Sequence, residues 1–313
     1  MVKIAFVFPG QGSQFVGMGK DFYDHVSSAR KLLDEANEVL GCDLTSICFN
    51  GPEETLKLTE NTQPALLVHS TMALKILRGN GIDSVLAAGH SLGEFSALVS
   101  AGALQFKDAV RLVRLRGQFM QEAVPVGVGS MAAIIGLEID ILQQLCDQVS
   151  EDSCMVQPAN LNSPVQTVIA GHKKAVEQVS EKALKAGAKK AVLLPVSAPF
   201  HSALMKPAEI KLQKELEQTE FYDLSYPVIT NIEAKPITKG SEARSALVKQ
   251  VCSPVRWSET MQVLVDQGIE TVIELGAGKV LSGLIKRFNR GIKCYQVGDR
   301  ESLSQTLAAL NGN

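Results

Sequence analysis

The chain has no cysteine pair at C-x-x-C spacing. None of its six cysteines (Cys42, Cys48, Cys146, Cys154, Cys252, Cys294) has companion histidines at zinc-ligand spacing. That pattern argues against a metal site, and thiols set in apolar stretches read as small buried hydrophobes of a reducing compartment. Excess charge is missing as well: 31 Lys and Arg stand against 33 Asp and Glu, a net charge of −2. With no basic block interleaved with aromatics, a nucleic-acid binder is excluded. No apolar run is long enough to span a bilayer. The opening run, residues 1–8, is cut off by Pro9-Gly10 and is too short for a signal peptide. Internal repeats and low-complexity segments are absent. What remains is a cytoplasmic globular protein of 313 residues, long enough for one large unit plus a smaller insert.

The most informative stretch present is Gly89-His90-Ser91-Leu92-Gly93. A short apolar run, residues 85–88, leads into it, and a helix-like segment, 92–101, leads out. This is the setting of a nucleophile elbow, a serine on a sharp strand-to-helix turn with glycines where a Cβ would clash. The first turn of the new helix aims free backbone N–H groups at an anion forming beside the serine. Ser91 is therefore the expected nucleophile; the plain alternative is a Gly-rich turn with a capping serine.

Short β-like runs alternate with amphipathic helices, which predicts an α/β fold with a mainly parallel sheet. Residues 3–8 read as a buried strand, 21–40 as one helix ended by Gly41, 63–77 as a strongly apolar helix and 106–123 as another. The character changes at Val124-Pro125-Val126-Gly127. From Ser130 the order is strand, helix (138–149), two strands flanking Asn162-Ser163-Pro164, helix (173–186) and strand (190–196). This β-α-β-β-α-β order is the ferredoxin-like signature. The expected division is a large catalytic unit, 1–126 and 198–313, and an inserted small unit, 127–197. Past Phe200 the helix and strand alternation returns, with a strand at 271–275 before Gly276-Ala277-Gly278.

A serine hydroxyl is a weak nucleophile near neutral pH and needs a base. Of the five histidines, His25 lies on a polar helix face, His69 sits mid-helix as a buried, satisfied imidazole, and His172 opens a polar surface turn. His90 precedes Ser91, so its side chain points away, to a supporting position or to a direct substrate contact. His201 remains, in the loop Ser197-Ala198-Pro199-Phe200-His201-Ser202 that returns from the small unit, where a catalytic base is expected. No acid stands out as a third member. Glu274 reads equally well as a structural carboxylate, and a backbone carbonyl can orient an imidazole instead. The Gly-rich loop at residues 8–14 is neither a P-loop nor a full dinucleotide fingerprint. It brings the Gln11 N–H beside the elbow as an oxyanion donor, or it is a tight turn. Arg111, Arg114 and Arg116 read most simply as a solvated face; one of them buried would need an anionic partner.

Several motifs then follow one another along essentially the whole chain: F-P-G-Q-G-S-Q (Phe8 to Gln14), T-Q-P-A (Thr62 to Ala65), G-H-S-L-G-E (Gly89 to Glu94), R-G-x-F-M-Q (Arg116 to Gln121) and N-x-N-S-P (Asn160 to Pro164). The P-F-H loop ending at His201, Gln250, S-P-V-R-W (Ser253 to Trp257) and E-L-G-x-G (Glu274 to Gly278) complete the set. In these the chain resembles the malonyl-CoA:acyl-carrier-protein transacylases. The resemblance implies an α/β-hydrolase-like large unit with a parallel sheet and an inserted ferredoxin-like unit. It implies Ser91 as the acylated residue, His201 as base, the Gln250 carbonyl as its orienting group, and the Gln11 and Leu92 N–H groups as the oxyanion hole. Arg116, Phe200, His90 and Asn160 form the implied substrate-binding set, with Arg116 on the malonyl carboxylate and Phe200 limiting substituents beside the carbonyl.

Malonyl-CoA is then the substrate, no cofactor or metal is needed, and the partner of a monomeric enzyme is an acidic, transiently docked acyl carrier protein. Lys286-Arg287-Phe288-Asn289-Arg290, with Lys293 and Lys189-Lys190, is the basic surface expected to receive it. Ala277 stands where the family often has proline, a departure that touches loop stiffness rather than chemistry. The competing readings are a serine thioesterase or esterase, a non-catalytic carrier-binding module, and an acyltransferase acting in trans on a polyketide assembly line.

Overall fold

The computed structural model describes residues 2–196 and 198–312. Its strands are β1 (Ile4–Phe8), β2 (Leu86–Gly89), β3 (Gly129–Ile135), β4 (Val156–Ser163), β5 (Gln166–His172), β6 (Lys190–Leu193), β7 (Val228–Ile229), β8 (Pro236–Ile237), β9 (Thr271–Leu275) and β10 (Lys293–Val297). They form two sheets. The larger has the spatial order β10-β9-β1-β2-β7-β8 and is parallel except for its last pair. Parallel strands are buried on both faces, and alternate residues of β1 go to opposite sides. Phe6 and Phe8 enter one core with Ala87, Ile273 and Leu275. Ala5 and Val7 enter the other with Leu86, Ala88 and Val272.

The smaller sheet, β4-β5-β3-β6, is antiparallel throughout, and the helices Ile139–Val149 and Lys173–Lys185 complete the expected ferredoxin-like order. One of its faces, through Ala132, Ile134 and Ile169, covers Leu142, Cys146, Val176 and Val179 of those helices. The opposite face, through Met131, Val168 and Ala170, joins the first core of the large sheet. The insert is therefore fastened to the large unit by shared apolar burial. β6 stops at Leu193, short of the expected residue 196, and Pro195 lacks the N–H that would continue a ladder. Ser197, at the expected boundary, lies outside the described residues.

Two helices differ from expectation. The run at 21–40 is two helices, Lys20–His25 and Ser27–Leu40, because Val26 is extended (φ −125°, ψ 110°) and its carbonyl starts the second helix. The apolar helix begins a turn early, as Thr59–Gly79, with Pro64 inside it. Proline has no N–H to give the Glu60 carbonyl; that oxygen accepts from Arg114 Nη1 instead, at 3.0 Å. Among the described residues, no helix is long and apolar enough to cross a membrane.

At the C-terminal ends of β1 and β2, main chain meets main chain. A Cβ at Gly89 would stand 1.9 Å from Gly93 O, and a Cβ at Gly93 would stand 2.1 Å from Phe8 O. Both glycines let the helix Leu92–Ser100 lie directly on the strand ends. Gly93→Ala is expected to cost about 3 kcal/mol or more in unfolding free energy, because backbone rather than a mobile side chain must give way. Gly283→Ala, on an open helix surface with nothing within 4 Å, should raise stability by up to about 1 kcal/mol. Denaturant titration of the two variants checks the contrast.

Candidate active site

Ser91 follows β2 and precedes the helix Leu92–Ser100, with φ 51° and ψ −107°. Such a conformation costs a side-chain-bearing residue roughly 1–3 kcal/mol and persists only where its surroundings impose it. Here they do. Ser91 N–H donates to Asn231 Oδ1 at 2.7 Å, and Ser91 O accepts from Gln250 Nε2 at 3.0 Å. Asn231 Nδ2 in turn donates to Gly89 O at 2.6 Å, which ties the two sides of the elbow together. Leu92 opens the new helix, so its N–H has no intrahelical acceptor.

His201 also has a positive φ, 59°. Its Nε2 lies 2.7 Å from Ser91 Oγ, and its Nδ1 lies 2.9 Å from Gln250 O. A carbonyl only accepts, so Nδ1 carries the proton, Nε2 keeps its lone pair, and the Ser91 hydroxyl donates to it. Burial, with the Arg116 charge as a second cause, pushes the imidazole far below its ordinary value, down to about 3. The ring is neutral and ready to take a proton. Glu274 has other work. Its oxygens accept from Leu281 N and Ser282 N, at 3.1 and 2.8 Å, and cap the helix Val280–Phe288.

The expected solvated face of arginines is corrected by the structure. Arg111 pairs with Glu215, and Arg114 bonds Asn61 and Glu60. Arg116 is 1% exposed. Its Nη1 donates to Gln63 Oε1 at 2.9 Å, and its Nη2 donates to Gln250 Oε1 at 3.0 Å and to Ser91 Oγ at 3.1 Å. Each of those acceptors is a neutral oxygen. Burial lowers the guanidinium to about 10, against the attraction of Glu94, so it stays charged at neutral pH.

Ser91, His201 and Arg116 line a cavity of about 100 Å³, and Gln11, His90, Asn160 and Phe200 line it too. The sequence reading therefore falls on one place. His90 Nε2 lies 2.9 Å from Asn162 Oδ1, and its ring faces Trp257. Asn160 Oδ1 is buried without a partner among the described residues. The apolar wall, Met120, Met131, Leu194 and Val196, and the amide of Gln63 went unassigned in the sequence reading. So did Glu94 and Asn231 beneath the elbow. Gln63, Glu94 and Met120 sit inside quoted motifs, which was the available signal; Asn231 sits in none.

The remaining histidines lie elsewhere. His25 is exposed beside Asp21, and His69 is buried with Nε2 on Gly298 O at 2.8 Å. His172 is built into the small sheet rather than into a free surface turn, and its Nδ1 accepts from Met155 N at 2.9 Å. Burial pushes the thiols of Cys48, Cys146 and Cys252 up to about 12, and that of Cys294 to about 11. No group of three His, Cys, Asp or Glu among the described residues is placed to hold a metal ion.

The depressed His201 value makes a stability prediction. The unfolded imidazole takes a proton below about pH 6.5, whereas the folded one stays neutral down to about 3. His201 therefore contributes stability that is present above pH 6.5 and is lost as pH falls. Each unit below 6.5 is expected to cost the wild type up to about 1.4 kcal/mol relative to His201→Asn, a residue that tolerates positive φ. Unfolding titrations of both proteins at pH 7 and pH 5.5 check that the wild type loses stability relative to the variant as pH falls.

Known proteins resemble this chain along essentially its whole length. The acyl transferase domain family matches residues 5–299. The malonyl CoA-acyl carrier protein transacylase of Bacillus subtilis is 51% identical over 316 residues, covering 100% of both chains. An acyl carrier protein S-malonyltransferase structure from Vibrio cholerae superposes with a TM-score of 0.94 at 46% identity, covering 97% of this chain and 99% of that one. A complex of a type II polyketide acyl-carrier protein with its malonyl-transacylase gives 0.95 at 45% identity, over 99% and 100% of the two chains. With a serine and histidine joined across an elbow and the match running from β1 to past β10, the chain belongs to the acyl transferase domain family.

Proposed function

We propose that this protein moves a malonyl group from malonyl-CoA to the phosphopantetheine thiol of an acyl carrier protein, through a malonyl ester on Ser91. The observation that carries the reading is Arg116: a fully buried guanidinium with Nη2 3.1 Å from Ser91 Oγ. A cation held so near a nucleophile suits an acyl group with a carboxylate of its own, because a bidentate pair would satisfy the buried charge.

In the first half-reaction the Ser91 proton passes to His201 Nε2 as Oγ bonds the thioester carbonyl carbon. Charge on the carbonyl oxygen would meet the Leu92 N–H and the Gln11 N–H. The turn carrying Gln11 is pressed against the elbow, since a Cβ on Gly10 would lie 2.4 Å from His90 O. Collapse breaks the C–S bond, and His201 returns the proton to the leaving thiol. The carrier thiol then gives its proton to Nε2, attacks the ester and releases Ser91, a ping-pong cycle. Gln250 O keeps the imidazole in register in place of an acid. The apolar wall of Met120, Met131, Leu194 and Val196 leaves little room for competing water, and Phe200 limits substituents beside the carbonyl. His90 and Asn160 complete the substrate-binding set, Asn160 with its unpartnered oxygen in the cavity lining.

The reading divides the chain into a catalytic unit, 1–126 and 198–313, and a small unit, 127–197. It places the work in the cytoplasm without a cofactor. The carrier protein would dock on Lys286, Arg287, Arg290 and Lys293, with Lys189 and Lys190 as a second basic border; Lys286, Arg287 and Arg290 are exposed on or next to one helix. Transfer to a polyketide carrier is a second reading, favoured by the 45% identity to the malonyl-transacylase of that complex.

Two experiments test it. Brief exposure to malonyl-CoA should add one malonyl mass to Ser91, and Ser91→Ala should abolish the adduct; label on another residue refutes the assignment. Arg116→Ala should lower kcat/KM for malonyl-CoA by about 10²-fold or more, as expected when a buried charge pair is broken. It should leave acetyl-CoA far less affected. An unchanged malonyl-to-acetyl ratio would place selectivity elsewhere.

A further inference from the structure

Glu94 is a buried titratable residue beneath the elbow that the proposed chemistry leaves unused. It is 1% exposed. Its Oε2 accepts two hydrogen bonds, from Gln250 Nε2 at 2.7 Å and from Asn231 N at 3.0 Å. Those two partners hold everything above them. The Gln250 amide also donates to Ser91 O, accepts from Arg116 Nη2 through Oε1, and receives His201 Nδ1–H on its main-chain oxygen. Asn231 takes the Ser91 N–H on Oδ1.

An amide has a donor end and an acceptor end, and only one orientation serves a given pair of neighbours. A carboxylate oxygen accepts and never donates, so Glu94 draws the NH₂ of Gln250 towards itself and leaves the carbonyl end for Arg116. The guanidinium then finds an acceptor rather than a second donor. On the other side, Glu94 fixes the Asn231 backbone and with it the oxygen that holds Ser91 at φ 51°.

We propose that Glu94 is a positioning residue. Through Gln250 and Asn231 it aims the Arg116 guanidinium and holds the strained Ser91 main chain, and thereby sets the preference for acyl groups that carry a carboxylate. The inference rests on the proposed malonyl transfer. Its contacts use one oxygen only: Oε1 has no partner among the described residues. Burial pushes the carboxyl up to about 7, yet a proton on Oε1 would leave both Oε2 contacts in place. The hydrogen bonds, not the charge, do the positioning.

The test compares Glu94→Ala and Glu94→Gln, with kcat/KM for malonyl-CoA and acetyl-CoA and an unfolding midpoint for each. The glutamine carbonyl can stand where Oε2 stands and accept both donors; alanine cannot. Glu94→Ala should lower malonyl kcat/KM by roughly 10- to 100-fold, the range for leaving buried donors without an acceptor, and should narrow the malonyl-to-acetyl ratio. Glu94→Gln should recover most of both. A folded alanine variant with an unchanged ratio overturns the proposal, since a purely structural carboxylate would act on stability alone. A folded glutamine variant that fails like alanine also overturns it, because charge would then be the agent. If alanine does not fold, Gln250→Met keeps the carbonyl under His201 and removes only the amide; it should narrow the ratio, and an unchanged ratio overturns the proposal. A wild type that forms no malonyl-Ser91 would sink the functional reading itself, a result distinct from all of these.

Discussion

The guanidinium of Arg116 is out of water, and a buried cation is costly unless its N–H groups find oxygens. That constraint organises the centre of the molecule. Two of its acceptors, Gln63 and Gln250, are amides brought from distant helices, and the third is the nucleophile itself. Because the Gln250 main-chain oxygen also accepts the His201 Nδ1–H, one residue links cation, base and serine. A shift in any of them is felt by the others, which is why double substitutions among them should not add.

The fold supplies the rigidity that such a cluster needs. β1 and β2 end side by side, and glycines at both crossings let backbone lie on backbone. The elbow is thus anchored to two buried strands of the large sheet. The small sheet brings Met131 and Asn160 to the cavity, and the segment just past β6 adds Leu194. The sheet's inner face shares a core with the large unit, so that part of the wall is held by ordinary apolar burial.

How much of this was legible in the sequence depended on range. Ser91 declared itself because strand, glycine, serine and helix are adjacent in the chain, and the β-α-β-β-α-β order of the insert is likewise a local pattern. His201 emerged only by elimination among five histidines, and its partner Gln250 O carries no side-chain signature at all. Arg116 is singled out by the motif resemblance, but the helix pattern alone hides it, for a different reason. On a helix whose neighbouring arginines are part-exposed, burial at one position is decided by what packs against it, here the helix Thr59–Gly79. Asn231 was invisible, because its oxygen meets Ser91 across 140 residues of chain. The start of the apolar helix at Thr59, a turn before Pro64, was missed because the Glu60 carbonyl that proline leaves free finds Arg114 across the fold; the break at Val26 carries no pattern of its own.

The cysteines acquire a meaning beyond packing. Under the proposed reaction the protein works among thioesters and free thiols, where any thiolate on the enzyme would be a rival acceptor. Burial holds Cys48, Cys146, Cys252 and Cys294 at about 11 to 12. Fewer than about one in 10³ of each is then ionised near neutral pH, and only the thiolate exchanges acyl groups. Those four sulfurs are bystanders. A cargo that arrives on sulfur and leaves on sulfur meets, in between, an oxygen as its resting place, and stray acylation of those four thiols is suppressed by their burial.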